Sequence, residues 1–360
     1  MRKVSLAATA ACLMVMVTLL GACADDSTRR QNTTPSQSSA ALCAPEDRGT
    51  WKELQPLVVP RAYACGVYYD GHVYIIGGVS NSDDPKTLED DHLQFPQPRE
   101  MVLRYDPRST PTDIVGLFTD LPVPVAGAAC VVHDNKVWVM GGYTGEQETH
   151  KNSNLFQVYD FKTDSWSQGP HMNEPRSWGA AVVVNDQVCM AGGAGHKKYS
   201  DSVECYRPGD SNWKVVGTIS QGRYGLGGFV HDGKIFLSGG NWFDVANVDH
   251  NVDSIEEFDP LAGTSKIVGY LPEATSAIIG VTGMDGRGYL YIQGRIWDAT
   301  DPTTYLLEID QVPAMSPREF NYVYEGWSFP VVVPVPGGLL VAGGGSSAAP
   351  TRSVKLLCLN

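Results

Sequence analysis

Three arginines stand at the same place ahead of an apolar stretch, in Pro60-Arg61-Ala62-Tyr63, Pro175-Arg176-Ser177-Trp178 and Gly222-Arg223-Tyr224-Gly225. A guanidinium is a planar fork of donors that grips oxyanions bidentately, and an aromatic ring beside it stacks on peptide or sugar. If these segments open equivalent units set around an axis, Arg61, Arg176 and Arg223 converge on one face. Tyr63, Trp178, Tyr224 and, from a later unit, Trp327 then form its aromatic walls. The chemistry expected of such a face is binding of a carboxylate or sulfated group, carried by a protein, an acidic peptide or an acidic glycan. A second reading has the same arginines pair with nearby acids such as Glu174, Glu273 or Glu325 and tie units together.

Other groups with chemical potential are weaker. The segment Asn81 to Glu100 carries Asp83, Asp84, Glu89, Asp90 and Asp91, but the spacing fits no calcium loop and reads as a solvated insertion. Asn241-Trp242-Phe243-Asp244 with Asp249, His250 and Asp253 reads as an extended polar loop, because one histidine among scattered acids is not a ligand set. No Cys/His spacing suggests a metal site, so neither a metal nor a cofactor is expected, and no residue is assigned a catalytic role.

The elements that must hold these residues repeat. A strand pattern ending in paired glycines recurs at Val73-Tyr74-Ile75-Ile76-Gly77-Gly78, Val137-Trp138-Val139-Met140-Gly141-Gly142, Val188-Cys189-Met190-Ala191-Gly192-Gly193 and Ile235-Phe236-Leu237-Ser238-Gly239-Gly240. Looser copies are Leu290-Tyr291-Ile292-Gln293-Gly294 and Leu339-Leu340-Val341-Ala342-Gly343-Gly344. The period is about 50 residues, too long for most helical solenoids. Each copy opens with a small or β-branched strand such as Gly179 to Val184, then a tight turn such as Asp70-Gly71, Asn185-Asp186 or Asp232-Gly233, so each begins with a hairpin. A third strand ends in an aromatic, often with an acid, at Tyr105-Asp106, Tyr159-Asp160, Tyr206 and Phe258-Asp259, and a tryptophan follows at Trp166 and Trp213.

The double glycine, the Tyr-Asp and the spaced tryptophan recurring in register resemble the kelch-repeat family over essentially residues 45–360. The resemblance implies an all-β, six-bladed propeller. Val354 to Leu359 is then the last blade's third strand, and Trp51 to Leu54, standing alone ahead of the first copy, completes that blade and closes the ring. Kelch adaptors use arginines at this place in the repeat to hold acidic partners, so the resemblance implies a binding module. Two alternatives stay open. The family includes periplasmic sialic-acid mutarotases, for which Arg61, Arg176 and Arg223 beside Glu174 or Glu325 would supply cations and a proton-transfer carboxyl. A structural surface protein with no ligand pocket is the other. Secreted copper radical oxidases share the fold, but none of the 8 histidines here forms a recognisable ligand pair.

The rest of the chain sets the compartment. Arg2 and Lys3 precede an almost wholly apolar Val4 to Leu20 and the small residues Gly21 to Ala24, a signal peptide over residues 1–23. Leu20-Gly21-Ala22-Cys23 reads as a bacterial lipobox with Cys23 lipidated, and Ala22-Cys23-Ala24 reads equally as an ordinary cleavage site. The polar stretch of residues 24–44 is a flexible linker. The expected location is therefore secreted or extracytoplasmic, with an N-terminal lipid tether if the host is bacterial. Of 8 cysteines, six remain in the mature chain, which an exported protein can oxidise. Cys189 and Cys205 could face each other across neighbouring strands, and Cys43 with Cys358 would pin the seam. A formal charge of −13 argues against nucleic acid as the partner, since a phosphate backbone calls for a basic footprint.

Overall fold

The computed structural model describes residues 41–80, 98–109, 116–145, 150–196, 198–293, 303–309, 318–323, 329–345 and 350–359. The signal peptide with Cys23, most of the linker, most of the acidic insertion, Glu325 and Trp327 lie outside the described residues. Residues from Ser38 onward form one compact unit. Within it six antiparallel sheets each carry four strands in simple meander order, two of them with an extra short strand. We number them blades 1 to 6 from the sheet that starts at Cys65.

Each blade begins with its innermost strand, Cys65–Tyr69 in blade 1, Ala126–His133 in blade 2, Ala180–Val184 in blade 3, Gly227–His231 in blade 4, Ile278–Thr282 in blade 5 and Val331–Val335 in blade 6. A tight turn leads to the second strand, for example His72–Ile76 in blade 1, with Tyr69 opposite His72. Asp70, Asn185 with Asp186, and Asp232 hold positive φ there, as turn residues of these types can. The turns between first and second strands lie at one end of the axis, the turn face. The connections into the next blade's inner strand lie at the other end, the crossover face.

Blade-to-blade packing places the large apolar side chains. Trp138 and Phe156 of blade 2 meet Met190, Tyr206 and Trp213 of blade 3. Phe229 and Phe236 of blade 4 meet Leu290 and Leu307 of blade 5 in the same way. The repeating aromatic at the end of the third strand is thus an interblade filler, and the outer strands, farther from the axis, need the bigger residues.

The ring closes with material from both ends of the unit. Trp51–Glu53 pairs with Val354–Cys358, Trp51 opposite Leu357, and supplies the outermost strand of blade 6. A bond between Cys43 and Cys358, their Cα atoms 5.6 Å apart, fastens the same seam. Cys189 and Cys205, directly opposite in neighbouring strands of blade 3, are also bonded. The third bond, Cys65 to Cys130, joins the inner strands of blades 1 and 2, a pairing that the spacing of the cysteines did not suggest.

The paired glycines sit where blades touch. Gly142 N–H donates to the Arg176 carbonyl, which leads into the next blade, at 2.9 Å. The same bond recurs from Gly78 to Val125, Gly193 to Arg223, Gly240 to Thr275 and Gly344 to Arg61, at 2.7–2.9 Å. A Cβ on Gly141 would stand 2.2 Å from the Arg176 carbonyl oxygen, and its φ of +64° disfavours any side chain.

We predict that Gly141→Ala costs at least about 2 kcal/mol more than Gly209→Ala, which also needs positive φ but has nothing within 4 Å of an added Cβ. Urea unfolding of the two variants reads the difference; equal costs would mean that conformation, not interblade contact, explains the glycines. Replacing both Cys43 and Cys358 by alanine should lower stability by about 2–4 kcal/mol. A melting temperature unchanged in the oxidised protein would refute the seam's role.

Candidate functional site

At the crossover face each inner strand is entered through a residue in the left-handed backbone region: Tyr63, Gly127, Trp178, Gly225, Ala277 and Phe329, with φ between +53° and +65°. They form a collar around the axis. Gly127 N–H donates to Tyr63 O, Trp178 N–H to Gly127 O, Gly225 N–H to Trp178 O, and Tyr63 N–H to Phe329 O, at 2.8–3.2 Å. A non-glycine residue in this region costs about 1–2 kcal/mol, yet three of the six positions carry large aromatics. Their rings gather over the axis, Tyr63 5.0 Å from Phe329 and 6.4 Å from Trp178 between centroids. Gly127 makes room, because a Cβ there would lie 2.9 Å from the Trp178 indole. Beneath the collar a cavity of about 410 Å³ follows the axis between the inner strands, lined by small residues such as Gly66, Ala128, Ala181 and Gly280.

The three arginines are not on this surface. Arg61, Arg176 and Arg223 are 1%, 0% and 0% exposed. The Arg176 guanidinium turns back into its own blade, pairing with Glu204 and donating to the Gly192 and Ser202 carbonyls at 3.0 and 3.1 Å. Arg223 pairs with Glu256 at 3.0 Å. Arg61 donates to Met101 Sδ at 2.9 Å and to the Pro60 carbonyl. The expectation of a guanidinium-lined anion site is therefore corrected. Each carbonyl is held by the preceding blade's glycine, and this anchoring leaves the side chain to run into the blade rather than toward solvent.

The tie between arginine and acid is real, but its main acids are ones the sequence reading passed over. Glu204 also accepts from Asn173 N at 2.7 Å and from Glu174 N at 3.3 Å, while Glu256 accepts from Ser220 N and Ser220 Oγ. Gln157 makes the equivalent clamp on Val123 in blade 2, through N–H and C=O both. The signal was present as an acid or amide two residues before the third-strand aromatic, in Glu204-Cys205-Tyr206, Glu256-Glu257-Phe258 and Gln157-Val158-Tyr159. Glu174 takes a lesser share of Arg176 at 3.3 Å and is shared with Lys198 and Ser200. Burial works to raise its carboxyl, but the Ser200 and Lys198 hydrogen bonds and the Arg176 charge together hold it below its usual range. An Arg/Glu pocket open to a sugar is thereby closed off at Arg176 and Arg223.

The aromatic part of the expected face does come together. Trp178 lies 6.2 Å from Tyr224, and Tyr224 stacks on Tyr199 at 5.3 Å, all three partly exposed. Phe329 and Tyr199 belong to this surface and were missed; Phe329 occupies the same place ahead of its strand as Tyr63 and Trp178. Among the described residues no group of three or more His, Cys, Asp or Glu could hold a metal ion.

A family profile described as the KLHDC2/KLHL20/DRC7 Kelch-repeats domain matches residues 101–240. Human Kelch-like protein 23 is 25% identical over 232 residues, covering 62% of this chain and 36% of that protein. Kelch-like protein 26 of Danio rerio is 27% identical over 199 residues, covering 53% and 29%. The chain thus spans about a third of the length of the curated relatives it matches. The solved structure titled "Structure of YjhT" superimposes with a TM-score of 0.63 at 15% identity, covering 84% of this chain and 96% of that one, a likeness of fold.

If the arginines are structural, Arg176→Ala and Glu204→Ala should each cost about 3–5 kcal/mol, since each strands a buried charge. The double replacement Arg176→Met with Glu204→Leu should cost less than the sum of the two alanine variants. Additive losses in chemical denaturation would show that the two do not act as a pair.

Proposed function

The chain belongs to the kelch-repeat β-propellers, and on that premise we propose that it is an extracytoplasmic recognition module that holds a protein partner on its crossover face. The observation that carries this reading is the aromatic collar. Strained backbone kept at several large side chains, where glycine serves at neighbouring equivalent positions, is a mark of a site built for contact. Tyr63, Trp178 and Phe329 put three half-buried rings at the axis, and Tyr224 and Tyr199 extend them toward blade 4. Aromatic rings give large contact area at little loss of side-chain freedom, which is why they concentrate at interface centres. The similarity to Kelch-like proteins supports a protein rather than a small molecule as the occupant. The signal-peptide pattern of residues 1–23 and three disulfides in the propeller support an oxidising compartment outside the cytoplasm. A lipid on Cys23 would make the polar linker a tether from a membrane surface.

Peptide display against the purified propeller tests the face. We expect selected peptides to lose about tenfold or more in affinity for Trp178→Ala and to keep their affinity for Asp186→Ala at the turn face. Peptides that respond only to turn-face changes would overturn the assignment. Mass spectrometry of the secreted chain tests the compartment: a mature N-terminus at Cys23 carrying acyl chains, or a cleaved and unmodified one, separates tether from free secretion, and an uncleaved Met1 would refute export.

A further inference from the structure

Blade 4 carries an extra hairpin that projects at the crossover face. Asn241–Phe243 pairs with the start of the strand Asp249–Asp259, setting Asn241 opposite Asn251, Trp242 opposite His250 and Phe243 opposite Asp249. Side chains alternate along a strand, so Phe243 and Asp249 share one side while Trp242 and His250 share the other. On the latter side indole and imidazole stack at 4.4 Å, and His250 meets Asp244 at 3.2 Å.

The Phe243 side turns toward the aromatic surface. Tyr199 lies 6.4 Å from Phe243 and stacks on Tyr224, which in turn meets Trp178. Burial chiefly holds the Tyr199 and Tyr224 phenols above their ordinary range, with a smaller contribution in the same direction from the Asp249 carboxylate. Asp249 is exposed, accepts from Asn241 Nδ2, and enters no ion pair among the described residues. Asn241, 1% exposed, holds the Asp249 carboxylate and Asn251 Oδ1 through its Nδ2. A carboxylate therefore stands opposite Phe243, whose ring lies 6.4 Å from Tyr199.

We propose that this corner, formed by Tyr199, Tyr224, Phe243 and Asp249, receives a lysine or arginine side chain of the protein partner. The assignment rests on the reading of the crossover face as a protein-binding surface and fixes the sign of the charge it selects. Ring faces attract cations, and an adjacent carboxylate adds a directed contact. Among the described residues the cations nearby are already matched: Arg223 by Glu256, Arg176 by Glu204 and Lys198 by Glu174. A formal charge of −13 steers a basic partner toward the surface and an acidic one away. At the hairpin tip Val245 and Val248 are 110% and 52% exposed, an apolar contact at the rim for the backbone around the bound side chain.

The experiment is calorimetric titration of the full propeller, at physiological salt, with blocked hexalysine, hexaserine and hexaglutamate peptides and with a neutral oligosaccharide. We expect hexalysine to bind at least about tenfold more tightly than the others, Asp249→Asn to weaken it about five- to tenfold, and Tyr199→Leu to weaken it about threefold or more. Asp249→Asn keeps side-chain volume and, through its Oδ1, an acceptor for Asn241 Nδ2, and an unchanged melting temperature of the variant separates lost binding from misfolding. Asp232→Asn, at the turn face with a side chain 90% exposed, should change affinity less than about twofold. An equal loss for Asp232→Asn would show diffuse charge attraction, and preference for hexaserine, hexaglutamate or the sugar would overturn the cation assignment. If display-selected peptides still depend on Trp178 while hexalysine does not bind, the cation site fails and the face stands. If they depend on the turn face, both fail.

Discussion

The structure depends on one hydrogen bond made five times among the described residues, from the N–H of the second glycine of a pair to the carbonyl leading into the next blade. It is short in every copy, at 2.7–2.9 Å, and it requires the first glycine to lie against the same carbonyl with no Cβ between them. A meander sheet has no intrinsic reason to stop at a given distance from its neighbour. This bond sets the distance and orientation near the axis, and the aromatics between the outer strands follow by filling what remains. The collar is its companion: once the crossover carbonyl is fixed, the chain must reverse within two residues to start the inner strand, and a left-handed residue accomplishes the reversal.

That geometry also decides what the arginines do. A residue whose carbonyl is tied to the preceding blade has little freedom left for its side chain. In blades 3 and 4 the guanidinium is drawn between the second and third strands, where a carboxylate two residues before the third-strand aromatic receives it. The same carboxylate accepts backbone N–H groups from the incoming loop, so burial of both charges is offset by charge-assisted hydrogen bonds on the carboxylate side, while Nε of Arg176 and of Arg223 has no partner among the described residues. The pair joins loop, crossover and blade at one point, and nothing of its charge is left for a ligand.

The fold was legible because its constraints repeat. Paired glycines, turn residues and third-strand aromatics each recur in register, and the lone Trp51 strand at one end with an incomplete last copy at the other indicated closure through blade 6. The site was legible only in part. Tyr63, Trp178 and Tyr224 were found through their place ahead of the inner strand, and they do share a surface. The arginines beside them were misjudged because adjacent residues in a tight crossover point in different directions, and a one-dimensional spacing carries no record of that. Glu204 and Glu256 went unnoticed because their partners are 28 and 33 residues away, a pairing set by the register of the third strand. Cys65 and Cys130, separated by 65 residues, meet only because neighbouring inner strands lie side by side.

Where the repeat is obeyed it is structural, and two departures from it stand out among the described residues. The collar could be glycine throughout, as in blades 2 and 4, and would then be less strained and present no rings. Blade 4 could end its second strand at Ser238 and turn directly to its third; instead it inserts a hairpin that sets Phe243 and Asp249 beside Tyr199 and Tyr224. The first departure costs backbone strain, and its rings also pack across blades, Tyr63 on Phe329 at the seam and Trp178 on Tyr143 of blade 2. Both gather on the same face, next to the axis and away from the turn face. Among the described residues two sets of groups are thus kept apart: the glycine bonds and buried ion pairs hold the blades, and the ringed collar and the blade 4 hairpin lie together at the crossover face.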